Sequence, residues 1–208
     1  MNETVLRSVR LALASLITVA LAAQLIIGLS RSGLSIVNFF SYFTVLSNTM
    51  AVVMLTMLAF RPDRDETRWF AIFRGAVTVY MSVTGLVYVT ILAPNLADVG
   101  VPEPWIDWTI HILGPLAVIL DWFFNPPPRR LDDNAIWIWL SFPALYLMYS
   151  LARGPIADWY PYPFLDPSQE NGYAGVGLWS LIVGVVVLAF GFLYYWWVNR
   201  ANKVVAEA

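Results

Sequence analysis

The chain has no cysteine, a single histidine and only 12% charged residues. Each scarcity excludes something. Without cysteine there is no disulfide framework, no thiol nucleophile and no thiolate metal site. With one histidine, His111, there is no partner imidazole for a metal site or a bis-histidine haem. No Gly-Xaa-Ser-Xaa-Gly elbow and no glycine-rich nucleotide loop occurs, and no paired carboxylates lie deep enough to pump protons. A formal net charge of −2 makes no case for nucleic acid. No cofactor or metal is expected. A soluble domain carries about 25% charged residues, so the scarcity of charge, with a mean hydropathy of +0.66, indicates an integral membrane protein.

What is present is a series of long apolar runs. Six are long enough to cross, near Leu6–Leu29, Ile36–Phe60, Trp69–Leu92, Trp105–Phe124, Ala135–Ala152 and Ala174–Val198. A helix needs roughly 17–25 residues to cross a hydrocarbon core of about 30 Å. Nothing alternates with the period of two that a barrel strand requires. The expected fold is an all-α bundle of six transmembrane helices in one domain spanning residues 1–208. The first run lacks a small-residue cleavage site and reads as an uncleaved span.

Basic residues set the expected orientation. With six spans, both termini share a side with the second and fourth loops. That side carries Arg7, Arg10, Arg61, Arg64, Arg68, Arg129, Arg130, Arg200 and Lys203; the other carries Arg31 and Arg153. The bias argues for both termini inside. Trp69, Trp105, Trp122 and Trp197 fall near span ends, as an aromatic belt would. Arg74 and Asp121 lie near inner span ends, where snorkelling is expected. Gly177, Gly184 and Gly191 recur every seven residues on the sixth span and read as a close-packing stripe. The outer loop after the fifth span, RGPIADWYPYPFLDPSQENGY, is long and proline-rich, as lids and binding loops often are.

Two spans carry unusual polarity. The second contains FFSYFTVLSN, with Ser41, Thr44 and Asn48 on one helical face. The fourth contains His111, with Asp107 one turn earlier and Pro115 four residues later. A proline inside a helix clashes with the carbonyl of residue i−4 and leaves it without a donor. The helix should therefore loosen at His111. At 1.5 Å per residue, Thr44 lies ~12 Å and His111 ~9 Å from the outer ends of their spans. A contact between them is geometrically possible if the helices are neighbours. The alternative for Ser41, Thr44 and Asn48 is helix glue, since hydroxyls in spans bond their own i−4 carbonyl or an adjacent helix. Tyr146 and Tyr149 are packing or cavity residues. An intramembrane histidine, by contrast, points to function by default.

SYFTVLSN, the histidine of DWTIHILGPLAVILDW, and WYPYPFLDP occur in an order and spacing that resemble the androgen-induced-gene and androgen-dependent TFPI-regulating proteins. RGAVTVYMSVTGLVY and SFPALYLMYSLARGPIADWYPYPF look most like six-span bacterial members of that family. The resemblance implies an intramembrane hydrolase of fatty acid esters of hydroxy fatty acids. Motif by motif, it implies Thr44 as nucleophile and His111 as base. Asp107 stands where the animal proteins are expected to carry Asn. The expected partners are a lipid ester and membrane lipids, and the expected location is a bacterial inner membrane. Asp107 would orient the imidazole, and Asn48 or Ser41 would donate to the oxyanion. Tyr162, Phe164, Tyr146 and Tyr149 would line the substrate cavity. A non-catalytic lipid-binding or transport protein using the same cavity is the alternative.

Overall fold

A computed structural model describes residues 2–31, 33–60, 66–94, 103–169 and 171–206, with side chains described up to residue 203. Arg61 and Arg64 of the orientation argument lie outside the described residues. The helices are α1 (Glu3–Arg31), α2 (Ile36–Phe39), α3 (Phe43–Phe60), α4 (Arg68–Val87), α5 (Pro104–Trp108), α6 (Gly114–Phe124), α7 (Ala135–Ala157) and α8 (Tyr173–Ala206). Six helical stretches are long and apolar enough to cross a membrane. The protein is a six-span, all-α, multi-pass membrane protein.

The bundle is built around α4. From Phe70 to Thr84 every residue except Phe73 is buried. One core cluster joins α1, α3 and α4 through Ile17, Leu55 and Met81. A larger one joins α4, α7 and α8 through Val79, Trp139 and Val187. The outward faces stay apolar, with Val19, Ile26, Leu181 and Phe192 exposed, as lipid-facing positions should be.

The structure corrects four of the expectations. First, Arg74 and Asp121 do not snorkel. Arg74 is 2% exposed; it bonds Glu66 at 2.7 Å, Asp121 at 3.2 Å and the Asn125 carbonyl at 2.6 Å. Asp121 also takes Arg10 Nε at 2.9 Å. One carboxylate thus bridges cations from two helices. Second, Trp122 leaves the aromatic belt. It is 1% exposed, packed beneath Arg74 and against Trp139. Third, a Cβ on Gly177 or Gly184 would meet open space, so the stripe is not close-packed there. The close approaches are elsewhere: a Cβ on Gly75 would stand 2.1 Å from Trp139.

The fourth correction concerns the second span, which is not one helix. It breaks at Phe40–Tyr42, between α2 and α3. Ser35 caps α2 by accepting from the Asn38 N–H. Across the break the backbone tightens: the Ser41 and Tyr42 N–H groups bond carbonyls three residues back. Two further spans contain a π-helical turn, at Tyr88–Leu92 and Thr109–Leu113. The second turn surrounds His111 and directly precedes Gly114-Pro115. That is the loosening expected from a proline four residues after the histidine.

Asp121→Ala is expected to cost ~3–5 kcal/mol, because Arg10 and Arg74 lose the carboxylate they share in a buried setting. Thermal unfolding in detergent measures this. A variant that melts with the wild type would show that the bridge contributes little.

Candidate functional site

The helix break creates the site. Inside a bilayer, backbone groups released from a helix must find partners in the protein. Here tyrosines supply them. Tyr146 OH donates to the Ser41 carbonyl at 2.9 Å. The Thr44 N–H, in the first turn of α3, donates to Tyr162 OH at 3.1 Å. The Thr44 hydroxyl lies 3.3 Å from the same phenol oxygen.

Tyr162 comes from the loop between α7 and α8, and it reaches Thr44 because that loop folds into the bundle. α7 ends at Asp158 in the left-handed conformation. Gly154 lets the Tyr160 ring lie against the helix end, where a Cβ would be 2.0 Å away. The turn Pro163–Leu165 then buries Tyr162, Phe164 and Leu165. Tyr162 stacks on Phe164 at 5.1 Å and meets Tyr42 edge-on. Beyond it, Asp166 closes a turn by accepting from the Ser168 N–H and hydroxyl, which hold its carboxyl below the usual range. The loop is a plug as much as a cap. Burial pushes the Tyr162 phenol up to about 12, so it stays protonated near neutrality.

Behind Thr44 and Tyr162 lies a cavity of about 280 Å³. Its walls are mostly apolar: Val83 and Val87 from α4, Leu140 and Leu147 from α7, Val183 and Val187 from α8. Phe164 and Tyr146 also line it, and Gly184 contributes the open space noted above. Its polar atoms come from Thr44, Tyr162, Thr84, Tyr146 and Ser180. Tyr149 is not among its walls. It is 44% exposed and its hydroxyl sits 2.7 Å from Ser41 Oγ on the outer side of the break.

The histidine forms a second cluster. His111 Nδ1 is 2.9 Å from Asp107 Oδ1, as the spacing of four residues predicts. Tyr88 stacks on the imidazole at 4.3 Å and donates its hydroxyl to Asp107. Gly85 permits this approach, since a Cβ there would press on the His111 carbonyl and Pro115. Sequence reasoning gave Tyr88 no role. Its only signal was its place in a quoted motif.

Thr44 and His111 share no hydrogen bond. His111 does not line the cavity, and Thr44 does not bond the Phe40 carbonyl. The two clusters are nonetheless adjacent. Asn48 Nδ2 donates to the Thr44 carbonyl at 2.9 Å and to the Ile110 carbonyl at 3.0 Å. One side chain therefore spans from the turn of Thr44 to that of His111. Ser47 and Thr84, 2.9 Å apart, close the seam between α3 and α4 beside it.

These bonds also correct two assignments. Both amide hydrogens of Asn48 are engaged by carbonyls, so it has none left for an oxyanion. Ser41 Oγ is held by the Val37 carbonyl and Tyr149. In this structure both side chains are engaged in bonds that hold the bundle together. Among the described residues, no group of three His, Asp or Glu side chains converges to hold a metal ion.

Compared with known proteins, the chain matches no family model, no curated protein and no solved structure.

Asn48→Leu should destabilise the bundle by ~1–3 kcal/mol, since it strands the buried Ile110 carbonyl, while the Thr44 carbonyl keeps the Ser47 hydroxyl. It should leave binding of a fluorescent fatty acid unchanged, because Asn48 is outside the cavity wall. Unfolding and binding isotherms on one preparation test both halves.

Proposed function

We propose that the protein is an intramembrane hydrolase that cleaves a long-chain lipid ester, with Thr44 as nucleophile. The observation that carries this reading is the Thr44 hydroxyl in the wall of a mostly apolar cavity between spanning helices. Its volume is near the lower end of the ~300–1,000 Å³ typical of small-molecule sites. A long acyl chain fits such walls, and a bilayer delivers it sideways between helices. The resemblance of SYFTVLSN and the histidine motif to threonine hydrolases supports the same residues.

A threonine hydroxyl is a weak nucleophile and needs a base. His111 is the base in this reading. With Asp107 ionised, Nδ1–H donates to it and Nε2 carries the free lone pair. Asn48 links the two backbones, so the gap from hydroxyl to imidazole is one of side-chain rotation or a bridging water. Thr44 Oγ attacks the ester carbon and its proton passes to His111. The tetrahedral adduct collapses, the ester C–O bond breaks, and the departing alcohol takes that proton back. Water, deprotonated by His111, then releases the acid from Thr44. The site's side of the membrane follows from the basic-residue bias, which puts it in the outer half of, in this proposal, a bacterial inner membrane.

One observation favours a second reading. Thr44 is bonded to Tyr162 and not to His111, as expected of a protein that binds or moves a lipid without cleaving it. Purified protein and a panel of long-chain esters separate the two. Thr44→Ala and His111→Ala are each expected to lower cleavage by about 10³-fold or more, with fatty acid binding retained. Wild-type protein that binds acyl chains but cleaves no ester would establish the carrier.

A further inference from the structure

The hydrolase reading leaves the developing oxyanion without a partner, since Asn48 and Ser41 are committed elsewhere. Tyr162 supplies a buried O–H beside the Thr44 hydroxyl, whereas the Ser47 hydroxyl is spent on the Thr44 carbonyl. Its oxygen lies 3.1 Å from Thr44 N and 3.3 Å from Thr44 Oγ1. The backbone N–H can only donate, so the phenol oxygen is its acceptor. The phenol proton is thereby free to point at Thr44 Oγ1 or at an incoming acceptor. No other side chain is hydrogen-bonded to Tyr162 OH among the described residues.

Resting on the hydrolase reading, we infer that Tyr162 O–H and the Thr44 N–H together form the oxyanion hole, and that Tyr162 guards Thr44 until an ester carbonyl arrives. In the resting state the phenol satisfies the N–H that the helix break exposes. When an ester enters, its carbonyl oxygen takes the phenol proton and the N–H as donors. Thr44 Oγ1 is released from the phenol and attacks the carbonyl carbon. The C=O π electrons move onto the oxygen between the two donors. The hydroxyl proton goes to His111 as above, and both donors keep their hydrogens throughout. An ester carbonyl is the ligand such a pair selects: it accepts two hydrogen bonds and donates none. A free carboxylate also accepts, but burying its charge in an apolar cavity is costly.

The geometry argues against a purely structural Tyr162. A backbone N–H could be satisfied by any acceptor. This phenol is buried, lines the cavity beside the nucleophile, and is positioned by a ring stack with Phe164 that does not depend on its hydroxyl. Burial keeps it protonated, as a donor must be.

The test uses full-length protein in detergent or nanodiscs, a chromogenic long-chain ester, and a long-chain trifluoromethyl ketone as adduct mimic. Tyr162→Phe is expected to lower kcat by about 10²-fold or more, the effect of deleting one oxyanion donor. KM and fatty acid binding should stay within about threefold, while affinity for the ketone falls in parallel with kcat. Wild-type kcat in Tyr162→Phe, with Thr44→Ala inactive, overturns the inference and leaves the hydrolase standing. Full activity in Thr44→Ala overturns both. Replacing Tyr162 by 3,5-difluorotyrosine keeps the ring and lowers the phenol pKa, so it guards against a folding defect in the phenylalanine variant. Activity should then acquire a new fall at alkaline pH as the donor ionises. A pH profile identical to wild type overturns the assignment.

Discussion

A backbone that leaves helical geometry inside a bilayer has no water to turn to, and this constraint organises the molecule. The break at Phe40–Tyr42 releases a carbonyl at Ser41 and an N–H at Thr44. Tyr146 takes the first and Tyr162 the second. The second solution requires a loop to enter the bundle. That entry buries Phe164 and Leu165 and shapes the end of the cavity. Fold and candidate site thus have one origin. The residue whose N–H the break releases is also a residue of the cavity wall.

A similar economy governs the histidine. Pro115 cannot continue the hydrogen-bond ladder, and the helix relaxes into a π-turn around His111. The chain at that turn lies close against α4, where glycine at position 85 admits it, and Tyr88 stacks on the ring. At the opposite end of the bundle, polarity has a structural purpose. The Arg10–Asp121–Arg74–Glu66 chain of ion pairs fastens α1, α4 and α6 where burial forbids unpaired charge. One end of the protein is tied by charge, and the other carries the irregular backbone and the loop that enters it.

Much of this was legible residue by residue. Apolar run length located all six spans, because lipid thickness sets helix length, and the start it missed furthest was that of the second, whose long helix begins at Phe43 and not at Ile36. The His111–Asp107 contact followed from a spacing of four, and the loosened turn from Pro115. Tyr162, Phe164 and Tyr146 were expected at a substrate cavity, and all three line the cavity beside Thr44. The failures have one cause. Whether Arg74 snorkels, whether Asn48 has a hydrogen to spare, whether Tyr149 faces inward and whether Gly184 meets a neighbour all depend on what stands across from each residue. Periodicity along one helix does not encode that.

The sequence by itself determined a membrane protein of six spans, with polar groups gathered in the second and the fourth. Those are consequences of composition and local geometry, which act over one or two turns. Only the tertiary structure decided that Thr44 faces a phenol from a distant loop, that His111 sits in a separate cluster across the Asn48 bridge, and that the cavity beside Thr44 does not take in His111. The Thr44–Tyr162 and Asn48–Ile110 bonds join residues 118 and 62 positions apart, and they are set by how helices pack once each has formed.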